Sequence, residues 1–245
     1  MTVLTIGSVA GSPGATTVAL GLAAAWPDLD RRRVVVEVDP DGGRLDAELG
    51  IGVEPGLMAL ALAVRTAHLT GTELVDRAAA DLGGWHAIPA PASSEQTHSA
   101  LVHAAGPLAA AMAADHDPVW LVDAGRLSTR SAALPFARIA DRAVVVSSGS
   151  FPMLQLLPHR IDALRAAGCA PCVVIVEPTS WPADEVADFV GADIAAILPR
   201  ITARRSGVAG IGTSAWRPWW RAIETAAEHL AASRRPVPLA DRARP

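Results

Sequence analysis

Short β-branched apolar runs alternate with longer alanine- and leucine-rich segments along almost the whole chain. The runs predict strands over residues 3–8, 33–38, 85–89, 119–122, 143–147, 172–176 and 194–198. Between them the periodicity predicts helices over 16–25, 56–67, 95–114, 131–140, 152–167, 183–190 and 216–232, with a short helical turn over 44–49. Val34-Val35-Val36 and Val144-Val145-Val146 are apolar at every position, so these strands are covered on both faces. Doubly covered strands alternating with helices form right-handed βαβ units. The expected fold is α/β and doubly wound: a mostly parallel seven-stranded sheet with helices on both faces, built as one domain over residues 1–232. Residues 233–245, rich in proline and arginine, read as a flexible tail.

Composition narrows the function classes. At 245 residues, 51% apolar and 19% charged, the chain is an ordinary globular protein with room for a large core. A net charge of −4 gives the whole molecule no electrostatic reason to hold nucleic acid, so DNA is an unexpected partner. No stretch approaches the roughly 18 apolar residues of a spanning helix, and no basic leader precedes the first strand. The expected location is cytoplasmic, with contact at the inner membrane face left open. All 21 basic residues are arginine, a bias that base composition of a genome suffices to explain. Cys169 and Cys172 spell C-A-P-C, but the pair follows a helix and enters a strand. A redox pair opens a helix instead, so buried thiols are expected here.

In a sheet of this kind ligands sit at the carboxyl ends of the strands. Behind the first strand stands Ala10-Gly11-Ser12-Pro13-Gly14-Ala15-Thr16-Thr17, followed at once by a helix. Gly11 and Gly14 allow a tight turn and close approach to a ligand. The amides over 14–17 then leave the helix N-terminus, where they and the helix dipole favour phosphate. Thr16 holds the place of a P-loop hydroxyl that binds Mg²⁺. The second apolar strand ends in Glu37-Val38-Asp39-Pro40, and the fourth in Asp123-Ala124-Gly125-Arg126. A carboxylate closing an apolar strand beside such a loop suits a Mg²⁺ site. Each feature alone also fits a plain turn cap. Their agreement favours a nucleotide site.

In order and spacing these segments resemble the ParA/MinD family of P-loop ATPases with a deviant Walker motif, K-G-G-x-G-K-T-T, over residues 1–232. Laid on that motif, both family lysines fall on alanines, Ala10 and Ala15. The resemblance implies nucleotide contacts from Gly11, Ser12, Gly14, Ala15, Thr16 and Thr17, with Pro199 and Arg200 packing on the base. It implies Mg²⁺ at Thr16 and Asp123, and a catalytic Asp39 that orients attacking water. Glu37 replaces the family's first aspartate, and Glu177 stands where relatives carry a base-reading asparagine. A narrower likeness is to actinobacterial MinD-like proteins with a G-S-P-G-x-T-T loop, akin to TadZ and CpaE and tied to pilus or secretion ATPases.

Each charged contact to phosphate contributes about 1.5–3 kcal/mol, so two missing lysines cost roughly 3–6 kcal/mol, or two to four decades of affinity. A relative binding near micromolar would become a protein binding ATP at about 0.1–10 mM. The expected function is that of a positioning or regulatory partner of a pilus, secretion or partition machine, with weak or absent ATP and Mg²⁺ binding. One alternative is a slow Mg-dependent ATPase, dimerising around ATP, with Arg44 or Arg126 replacing the lysines. Another is a partition-type DNA binder using Arg204, Arg205 and Arg217. The last helix puts Trp216, Trp219, Trp220 and Ile223 on one face. That face suits either a cover over the sheet or a peripheral membrane contact.

Overall fold

The computed structural model describes residues 2–11, 13–201 and 216–232. The chain begins β1 (Thr2–Ser8), α1 (Ala15–Ala25), β2 (Arg33–Glu37), α2 (Leu45–Leu49), α3 (Leu57–Thr66) and α4 (Gly71–Ala78). It continues through β3 (Ala80–Asp81), β4 (His86–Ile88), α5 (Ser94–Ala114), β5 (Val119–Arg126), α6 (Leu134–Ile139) and β6 (Arg142–Ser148). The last elements are α7 (Phe151–Leu154), α8 (Leu157–Ala166), β7 (Pro171–Val176), α9 (Ala183–Val190), β8 (Ile194–Leu198) and α10 (Arg217–Ala232).

The sheet runs β3-β4-β2-β5-β1-β6-β7-β8, parallel throughout except where β3 pairs antiparallel with β4. Eight strands form among the described residues, not the expected seven. The extra one is the two-residue β3, too short for any periodicity to reveal. β5 runs on to Arg126 because its last residues stay paired with β1, carrying Asp123 inside the strand and not at its tip. The expected helix over 152–167 is broken between Leu154 and Leu157. Pro158 falls in the first turn of α8, the position a proline tolerates, so it starts a new helix. α4 was not expected.

Period-2 alternation splits each central strand between two cores. Val34, Val36, Trp120 and Val122 face one layer with Leu60, Leu74, Leu101, Leu108 and Phe136, from α3 to α6. Val35, Leu121, Val144 and Val146 face the other, where α1 and α10 supply Val18, Leu22, Trp219, Ile223 and Leu230. A Cβ on Gly21 would lie 2.3 Å from the Trp219 ring, so glycine in α1 lets α10 seat against it. The apolar face of α10 is thus spent on α1 and β8, the cover expected of a last helix.

From β1 the chain moves outward to β2 on one side, and from β5 it returns to β6 on the other. The connections therefore part beside β1, which puts the loop after β1 in the crevice that such sheets use for ligands.

Candidate functional site

The loop after β1 turns on two glycines in the left-handed region, Gly11 at φ 66° and Gly14 at φ 97°. Gly14 caps α1 without any side-chain hydrogen bond, and its carbonyl accepts from Val18 N–H at 2.9 Å. Among the described residues, the N–H groups of Gly14, Ala15, Thr16 and Thr17 meet no acceptor. A Cβ on Gly11 would meet nothing within 4 Å, so the space over the loop is open. Unpaired helix-terminal amides facing open space form a cradle for an anion. Ala15 is buried and Ala10 packs against the core, so neither places charge in that cradle.

Beside the cradle stands the carboxylate of Asp123, which is 1% exposed, with the Thr16 hydroxyl near enough to favour its charged form. Burial pushes the Asp123 carboxyl up to about 6, opposed by the Thr16 hydroxyl and by Gly125 N–H, which donates at 3.2 Å. Asp39 lies over Gly125, where a Cβ would come within 2.0 Å of its carboxyl carbon. Gly125 has φ 58°, so glycine serves there for both backbone and space. Burial also raises the Asp39 carboxyl, while Asp41 N–H, at 2.9 Å, and the charges of Arg44 and Arg126 hold it down.

Glu37 does work that its strand-end position did not announce. Its carboxylate accepts from Arg44 N–H at 2.7 Å, Ala90 N–H at 3.0 Å and Leu45 N–H at 3.3 Å. The longer side chain thereby ties the β2 exit to the start of α2 and to the β4 exit. Burial pushes this carboxyl up to about 7; the Ala90 and Arg44 bonds pull it back and the neighbouring Asp123 charge pushes further.

Gly11, Gly14 and Thr17 line a cavity of about 500 Å³ that also contains Pro199 and Arg200. Ala15, Thr16, Asp39 and Asp123 are not among the residues that line it. Ser12, Arg204, Arg205 and residues 233–245 fall outside the described residues. Sequence reasoning missed the indole walls of this cavity, Trp216 and Trp219, which helical periodicity assigned only to a buried face. A larger hollow of about 1020 Å³ between α3 and α5 contains none of the strand-end residues. Cys172 is buried and its thiol pushed up to about 12 by burial, as expected of a structural cysteine. No helix among the described residues is long and apolar enough to cross a membrane.

A glycine turn between a central strand and its helix, with a buried acid on the adjacent strand, is the framework on which P-loop NTPase folds are built. Within that class the chain has the ParA/MinD-like fold. Over 93% of its length it superposes on 99% of a ParA family ATPase from Chlorobium tepidum, with TM-score 0.75 and 18% identity. The cell division ATPase MinD of Pyrococcus furiosus matches 94% of this chain over 98% of its own, at TM-score 0.75 and 18% identity. The septum site-determining protein MinD of Pyrococcus horikoshii, solved with Mg-ADP, matches 95% over 97%, at TM-score 0.72 and 18% identity. No family model matches the sequence, and no curated protein matches it.

Proposed function

We propose that this protein is a weak nucleotide binder of the ParA/MinD type that acts as a positioning or regulatory partner of a larger machine, of the pilus, secretion or partition kind. The observation that carries the reading is the open row of amides from Gly14 to Thr17 beside the Thr16–Asp123 pair. Amides and dipole supply anion affinity that survives without a lysine. Thr16 and Asp123 would hold Mg²⁺, which needs only one or two protein oxygens when phosphate supplies others. When bound, the ion would offset the phosphate charge that the two alanines leave unanswered. Pro199 and Arg200 would border the base. The Mg-ADP bound by the Pyrococcus horikoshii protein supports a nucleotide in this crevice.

Asp39, held over Gly125, would orient water in such a site, and Arg44 and Arg126 both act on its charge. This favours a second reading, a slow Mg-dependent ATPase whose arginines replace the lysines, completed by a second copy of the chain. The two readings part on turnover: phosphate release that falls on Arg126→Ala supports the second, and none above background supports the first.

Calorimetric titration with Mg²⁺ plus ATP, and with Mg²⁺ plus inorganic tripolyphosphate, tests the shared claim. Wild type should bind at about 0.1–10 mM, and Asp123→Ala should lose about tenfold. Absence of heat from both ligands at about 10 mM would sink the nucleotide reading.

A further inference from the structure

The cavity that borders the loop continues to the ends of β7 and β8, where its composition is selective. Among its described lining residues the only charged side chains are Glu177 and Arg200, and none is asparagine or glutamine. Glu177 N–H donates to the Leu198 carbonyl at 2.9 Å, and Gly149 N–H donates to the Val176 carbonyl at 2.9 Å. These bonds pin the β7 exit from both sides. Glu177 is exposed and lines the cavity, and its carboxylate has no hydrogen-bond or ion-pair partner among the described residues. Trp216 and Pro199 give the same region apolar walls, and Trp216 is braced edge-on by Trp219 at a centroid distance of 5.4 Å.

A carboxylate only accepts hydrogen bonds, and its two oxygens accept side by side. Guanine presents two adjacent donors, N1–H and the N2 amine. Adenine presents one amine flanked by ring nitrogens that are acceptors, so one carboxylate oxygen would face a lone pair. A neutral amide, which donates and accepts, would suit adenine, and the described walls offer none. Apolar walls with one well-placed polar group are how small-molecule pockets fix orientation.

We propose that the base end of this cavity selects guanine over adenine, with Glu177 as the residue that reads the N1–H and N2 amine edge. The inference rests on the nucleotide reading above and narrows it to guanine nucleotides.

Titration with Mg-GDP, Mg-IDP and Mg-ADP, followed by tryptophan fluorescence and calorimetry, tests it on wild type and on Glu177→Gln. GDP should bind about tenfold to a hundredfold tighter than ADP, with IDP, which lacks the N2 amine, in between. Glu177→Gln should bring GDP and ADP to within about twofold of each other while leaving tripolyphosphate affinity and thermal stability unchanged, because the side chain is exposed. ADP binding as tightly as GDP, or a GDP preference that survives Glu177→Gln, overturns the guanine inference and leaves the phosphate cradle standing. Failure of all three nucleotides and of tripolyphosphate overturns both.

Discussion

Asp123 and Glu37 are buried acids in adjacent strands, paired in register at the centre of the sheet. Both carboxyls are raised by burial, to about 6 and about 7. Between the unfolded values and these folded ones, the folded chain holds protons that the unfolded chain releases. Stability from these two groups is therefore fully present below about pH 4 and is lost as pH rises through 6 and 7. Thermal melts between pH 5 and 8 should show this fall, and Asp123→Asn should flatten it. Asparagine keeps an acceptor for Gly125 N–H, and its amide can donate to the Thr16 hydroxyl oxygen, so at pH 8 the variant should gain on the order of 1–3 kcal/mol. The same variant should lose Mg²⁺-dependent nucleotide affinity, as expected where a site is kept at the expense of stability. A variant less stable than wild type at pH 8 would contradict this electrostatic account. Asp39 and Asp123 were legible in the sequence because an apolar strand that ends in an acid is conspicuous. The clamp made by Glu37 was not, since its partner Ala90 lies 53 residues along the chain.

At the scale of elements, the fold rests on contacts that local periodicity reports only in part. Gly21 and Trp219 were each readable as helix positions, yet their fit appears only when α10 returns to α1. Gly21→Ala should destabilise the protein by about 1–3 kcal/mol through overpacking against the indole. Adding Trp219→Leu should recover part of that loss, a coupling that urea melts of the two single variants and the double would measure. α4 shows the opposite case, a helix whose start is marked locally in the sequence. Thr70 accepts from Glu73 N–H and the Glu73 carboxylate accepts from Thr70 N–H, a capping box written as T-x-x-E in the sequence. Thr70→Ala should cost about 1 kcal/mol in the same melts. Strand–helix alternation carried the architecture, whereas β3 and the break between α7 and α8 depend on two residues each and left no periodic trace.

The molecule as a whole gathers its unusual groups at the carboxyl ends of its parallel strands: an amide row without lysines after β1, an acid pair on β2 and β5, and Glu177 after β7. A family-level fold was legible because order and spacing survive when individual residues change. What the sequence left unstated was whether the amides remain available once the charges have gone. Removing Arg126 should weaken nucleotide binding severalfold if that guanidinium offsets phosphate charge, and calorimetry on Arg126→Ala against wild type measures the change. The most direct test of the central claim reads the cradle itself. Amide chemical shifts of Gly14, Ala15, Thr16 and Thr17, followed by NMR during titration with Mg²⁺ and inorganic tripolyphosphate, report whether those N–H groups take an anion. We predict saturable downfield shifts confined to this turn and reduced in Asp123→Ala. Flat shifts at these four amides, at ligand concentrations up to about 10 mM, would contradict the account.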